Sequence, residues 1–87
     1  MEFANTDHIT PADVERIRSL NAVTNNGRGS AVVRSMLVCF DRGNPSEAAK
    51  TLYFEYDKLR QYPEMCALLD EVFRVSYRIS CRLTHSK

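Results

Sequence analysis

The sequence predicts an all-α fold: a small four-helix domain in which helix 4 is the longest. Three observations carry this. Apolar residues recur at helical spacing through four separate stretches, as in Val33, Met36, Leu37 and Phe40. Proline opens three of the four stretches, after a capping residue at Thr10-Pro11 and Asn44-Pro45 and alone at Pro63, where Tyr62-Pro63 also ends the helix before. Partner strands for a sheet are missing, although one apolar run is rich in β-branched residues.

Residues 1–9 read as a flexible N-terminal arm, and residues 10–87 as a single helical domain. Thr10-Pro11-Ala12-Asp13 opens helix 1, with a threonine to accept from the third amide and an acid in the first turn. Val14, Ile17 and Leu20 form a narrow stripe, with Val23 beyond it. Asn25-Asn26-Gly27 stops the helix, because these residues tolerate positive φ. Helix 1 is expected over about 11–24. Ser30 caps helix 2, which is apolar nearly all round and ends at Gly43. A buried strand is the competing reading of this run, and Arg34-Ser35 inside it favours the helix. Helix 2 is expected to be the most buried.

Asn44-Pro45-Ser46-Glu47 gives a cap, a proline and an acid three residues on. The stretch GNPSEAAKTL also resembles the opening of a helix-turn-helix DNA reader. That unit needs a second break soon after the first helix. Residues 53–62 hold no Gly, Pro, Asn or Ser before Pro63, so 45–61 is expected as one helix. Glu55 and Asp57 would also sit badly against phosphate. Helix 4 opens at Pro63 and meets no Gly or Pro up to Leu83, a span of about 28 Å at the usual rise.

The chain has 87 residues, 44% hydrophobic, with a net charge of +1. A chain this short buries about 60% of its unfolded surface, and self-association is a common way to enlarge such a core. Residues 1–71 carry 11 acids and 8 bases; residues 72–87 carry Arg74, Arg78, Arg82 and Lys87 and no acid. The charge is too small for a global field, so nucleic acid is a disfavoured partner. Neither a signal peptide nor a membrane span is legible, and a cytoplasmic protein with reduced thiols is expected.

Catalysis is not expected. His8 and His85 lie near the chain ends, Asp70 and Glu71 diverge on a helix, and Cys39, Cys66 and Cys81 sit in apolar patterns without metal-ligand spacing. No cofactor and no metal is implied. The pattern with the most information is on helix 4, where Met65, Leu69, Val72, Ser76, Ile79 and Leu83 are spaced as a heptad seam. Cys66, Phe73, Tyr77 and Cys81 line another side. Two apolar faces need two things to pack on. Both can lie within the domain, or one can be a partner chain. With Tyr53 and Phe54 on helix 3, the seam residues Met65, Leu69, Val72, Ile79 and Leu83 are the expected protein-binding residues, and a homodimer is expected. Under this reading, Leu69→Arg abolishes association. The alternative is a DNA-binding regulator using the i, i+4, i+8 row Arg74, Arg78 and Arg82; that row is equally a solvated face suited to a helix C-terminus.

In size, helix order and lack of a catalytic constellation, with ITPADVERIRSLN and GNPSEAAKTLYFEYDKL as the prompting stretches, the chain resembles small quorum-sensing antiactivators of the Pseudomonas QslA type, which bind LasR. The resemblance maps no binding residue. It implies a protein that binds a transcription regulator and blocks its productive dimerisation or DNA binding.

Overall fold

The computed structural model describes residues 6–74. Its elements are α1 (Pro11–Val23), α2 (Ala31–Asp41), α3 (Pro45–Glu55), a 3-10 turn (Tyr56–Leu59) and α4 (Pro63–Phe73). Among the described residues there is no strand, and the all-α architecture stands.

The helix boundaries follow from local chemistry. At the start of α1, Thr10 Oγ1 accepts from the Asp13 N–H (3.2 Å) and the Thr10 N–H donates to Asp13 Oδ2 (3.1 Å). This reciprocal box satisfies two amides that the helix leaves unpaired. After α1, Asn25, Asn26 and Gly27 all take positive φ, at 54°, 58° and 87°. The loop closes on itself through the Gly29 N–H to the Thr24 carbonyl, 2.8 Å. Ser30 then caps α2, its hydroxyl accepting from the Val33 N–H.

α2 ends in a Schellman closure. Gly43 takes φ 76°, its N–H bonds the Phe40 carbonyl, and the Asn44 N–H bonds the Cys39 carbonyl at 2.8 Å. α3 follows at once. Asn44 occupies its cap position without a side-chain hydrogen bond, so proline and the turn open this helix, not the expected asparagine cap.

α3 packs mainly on α2, and two fully buried alanines, Ala48 and Ala49, allow the close approach. Ile17 of α1, Val33, Met36 and Leu37 of α2, and Leu52 of α3 join one core with Tyr56 and Leu59 of the 3-10 turn. α4 closes it, packing on α1 and the 3-10 turn with Met65, Cys66, Leu69, Val72 and Phe73 buried. Ion pairs tie the outside: Arg16 to Glu71 (2.9 Å) links α1 to α4, and Arg18 to Asp41 (2.8 Å) links α1 to α2.

Four expectations change. The stretch 45–61 is not one α-helix: it tightens to 3-10 geometry after Glu55, which buries Tyr56 and Leu59. α4 is not shown as the longest helix. It spans 11 residues against 13 for α1, and Arg74 stops it in the left-handed region at φ 58°. The expected continuation over 75–83 lies outside the described residues. α4 and not α2 buries the most, with five buried residues against three. Finally, residues 6–9 of the expected arm lie against the domain. The His8 ring donates from Nε2 to the Val72 carbonyl at 2.8 Å, and Ile9 packs on the core.

Candidate protein-binding face

The periodicity of α3 sorts its side chains into two sides. Ala48, Ala49, Leu52 and Tyr56 turn inward. A rotation of about 100° per residue then places Glu47, Thr51 and Phe54 on the opposite side. These residues, with Lys50, Glu55 and Lys58 of the 3-10 turn, form one wall of a groove of about 530 Å³. Ala31, Val32 and Ser35 of α2 form the other wall.

Phe54 is the apolar centre of this face and is 65% exposed. Its ring meets Tyr53 edge to face, with centroids 5.3 Å apart and planes at 83°. That geometry suits the ring quadrupoles and holds the Phe54 ring at the surface. Charges flank it on both sides. Lys50 pairs with Glu47 at 3.3 Å, and Lys58 pairs with Glu55 at 2.8 Å. An aromatic centre with a charged rim is the usual anatomy of a protein interface.

The other sequence-derived candidates fall differently. Met65, Leu69 and Val72 of the seam are all buried, at 1%, 0% and 3% exposure. Cys66 and Phe73 from the second apolar set are buried as well. Over 63–73 the domain's own core therefore takes both faces of α4. Leu69→Arg would place a charge in that core and would not probe a free surface. Ile79 and Leu83 lie outside the described residues, as do Arg78 and Arg82. Arg74 is exposed, but the helical row expected to start there has no helix beneath its first member, because α4 ends at Phe73.

Glu47, Lys50, Thr51, Glu55 and Lys58 were not among the sequence candidates. Their signal was the opposite-charge spacing of three residues on either side of Phe54, which reads in isolation as helix support. A second groove, between α1 and α4, is lined by Glu15, Arg16, Glu64 and Glu71. Its apolar lining is Ala12, Leu20, Ala67 and Leu68, of which the two leucines are half-buried against the core, and no aromatic ring lines it.

Among the described residues, no group of three or more His, Cys, Asp and Glu is placed to hold a metal ion. Cys39 and Cys66 are free thiols, and Cys66 Sγ bonds the Leu59 carbonyl at 3.1 Å in the core. No described helix is long and apolar enough to cross a membrane. Compared with known proteins, the chain matches no family model, no curated protein and no solved structure.

Proposed function

We propose that this chain is a small regulatory protein that binds and inhibits a larger protein, with the α2–α3 face around Phe54 as its contact. The observation that carries the reading is the exposed Phe54 ring, braced by Tyr53 beside a groove and ringed by charges. A single exposed apolar side chain needs no explanation. A braced aromatic pair on a groove wall has the composition of an interface hot spot. The target class comes from the resemblance to quorum-sensing antiactivators: a transcription regulator whose dimerisation surface is covered. The mechanism is occlusion, without a catalysed reaction.

Tagged protein with the native face and a Phe54→Glu variant are incubated with nuclease-treated lysate of the host, and the bound proteins are identified by mass spectrometry. The expected result is one protein recovered near stoichiometry with the native face and lost with Phe54→Glu, while both variants melt alike. Equal recovery by both would place the contact elsewhere. Recovery of nothing by either protein, together with DNA binding that weakens steeply with salt, would favour the arginine-row alternative.

A further inference from the structure

The turn that leads the chain into α1 stands over an apolar hollow. The Ile9 N–H donates to the Thr6 carbonyl at 3.1 Å, and the His8 ring is bound to the Val72 carbonyl of α4. These bonds fix where Thr6 sits, on the rim of a cavity of about 420 Å³ between the arm, α1 and the junction of α2 with α3. The apolar wall is Ile9, Pro11, Val14, Phe40 and Pro45. Ile9, Val14 and Phe40 pack on the core but are only half-buried, so part of each is left to the cavity. The polar lining is already matched: Arg18 pairs with Glu15 at 3.0 Å and with Asp41 at 2.8 Å. What the cavity offers a further group is therefore apolar surface with an aromatic ring in its wall. An uncharged apolar side chain suits it, an aromatic one above all.

We infer that Phe3 fills this cavity, with its ring against Val14 and Phe40. Reach, tether and composition select this occupant. Residues 1–5 lie outside the described residues, and Thr6, on the cavity rim, is the first residue after them. Phe3 is three residues before Thr6, and a chain of that length reaches at most about 10 Å, so the ring is delivered to the cavity mouth. Docking is intramolecular, and a short link of this kind holds the ring at an effective concentration of about millimolar or above. Within Met1-Glu2-Phe3-Ala4-Asn5, Phe3 is the one aromatic residue. A phenylalanine ring left in water gains by burial against Val14 and Phe40, and the ordering cost is confined to a few backbone residues.

The arm then works as a strap held at Phe3 by the cavity, at His8 by the last turn of α4, and at Ile9 by the core. It ties the start of α1 to the ends of α2 and α4. The cavity and the Phe54 groove share no lining residue, so the strap leaves that groove free. The inference does not depend on the reading of the Phe54 face, and its failure would leave that reading untouched.

The chain contains no tryptophan, so Phe3→Trp gives a full chain with a single indole. Its quenching by acrylamide and its proton contacts in NMR spectra are followed in dilute folded protein. The expected indole is quenched several-fold more slowly than in the same protein unfolded in urea, and its protons contact the methyl groups of Val14 and Ile9. Pro11→Asp, added to Phe3→Trp, puts a charge in the cavity wall. Pro11 is exposed in the first turn of α1, where an acid suits the helix, so the fold should hold by circular dichroism while the indole opens to the quencher. An indole quenched as freely in the folded chain as in urea overturns the inference. So does a shielded indole whose contacts lie away from Val14 and Ile9. Shielding that grows with protein concentration overturns it too, because another copy would then cover the ring. Phe3→Ala, which carries no larger ring, should lower the melting temperature, and an unchanged melt counts equally against the inference.

Discussion

The Asn21 side-chain oxygen accepts a hydrogen bond from the Ser30 N–H at 2.8 Å, and both residues are buried. This bond fastens the end of α1 to the start of α2, and Arg34 of α2 also donates to the Arg28 carbonyl of the loop between them. Gly29 passes so close that a Cβ there would lie 2.7 Å from Asn21 Nδ2 and 2.9 Å from the Asn21 carbonyl oxygen. Its φ of +72° also disfavours other residues.

Asn21→Ala leaves the Ser30 N–H buried without an acceptor and should cost about 1–3 kcal/mol in urea unfolding. Gly29→Ala should cost more than about 1 kcal/mol, from φ and from the contact. The double variant should lose less than the two costs added, because removing the Asn21 side chain relieves part of the crowding. Strict additivity would show that the two residues do not share the site.

Phe54 and Phe73 make opposite predictions. Phe73 is 1% exposed and touches Phe40, with ring centroids 6.1 Å apart. Phe73→Ala should cost about 3–5 kcal/mol and unfold much of a domain this small. Phe54→Ala removes an exposed ring and one edge contact, so its cost should stay near or below about 1 kcal/mol. Thermal melts of the two variants check both. A severe loss from Phe54→Ala would mean that its ring is core and not contact surface.

Asp13 gives a pH dependence of known sign. The hydrogen bond from the Thr10 N–H, helped by the Thr10 hydroxyl and Arg16, holds its carboxyl below the usual Asp range. A carboxyl with a lowered folded value contributes stability above its unfolded value of about 4. That contribution is lost as pH falls through the lowered value. Asp13→Asn should therefore be less stable than the native chain at neutral pH, and the gap should close in acid. A gap that persists at a pH well below the lowered value would indicate a role other than the ionised cap.

Arg74 ends α4 with φ 58°. Glycine adopts that conformation at little cost, so Arg74→Gly should hold or raise stability, by up to about 1 kcal/mol. Were α4 to run on through this position, the same change would cost about 1 kcal/mol. The sign of the shift in melting temperature decides.

These contrasts also mark how far the sequence could be read. The start of α1 was legible because Thr10, Pro11 and Asp13 act locally. So was the Asn25-Asn26-Gly27 stop, where positive φ is a property of the residues. The end of α4 was not, since an arginine in the left-handed region leaves no Gly or Pro signal. The 3-10 tightening at Tyr56 was hidden for a similar reason: apolar spacing runs through it unchanged. The seam Met65, Leu69 and Val72 was correctly seen as apolar. Whether it faced the core or a partner depended on what packs over it, and α1 and the 3-10 turn do. Phe54 stood out by its angle on α3, away from the buried alanines. The charges near it read only as helix support until Glu47, Lys50, Glu55 and Lys58 were seen to line one groove with it.

The most direct measurement is photo-crosslinking from the face itself. A photoreactive phenylalanine analogue is placed at Phe54 in one protein and at Val23, 72% exposed at the end of α1, in another. Both are irradiated in host lysate. If the Phe54 face is the contact, position 54 gives discrete adducts to a target in lysate, while position 23 gives none. Adducts from position 23 with none from position 54 would contradict it.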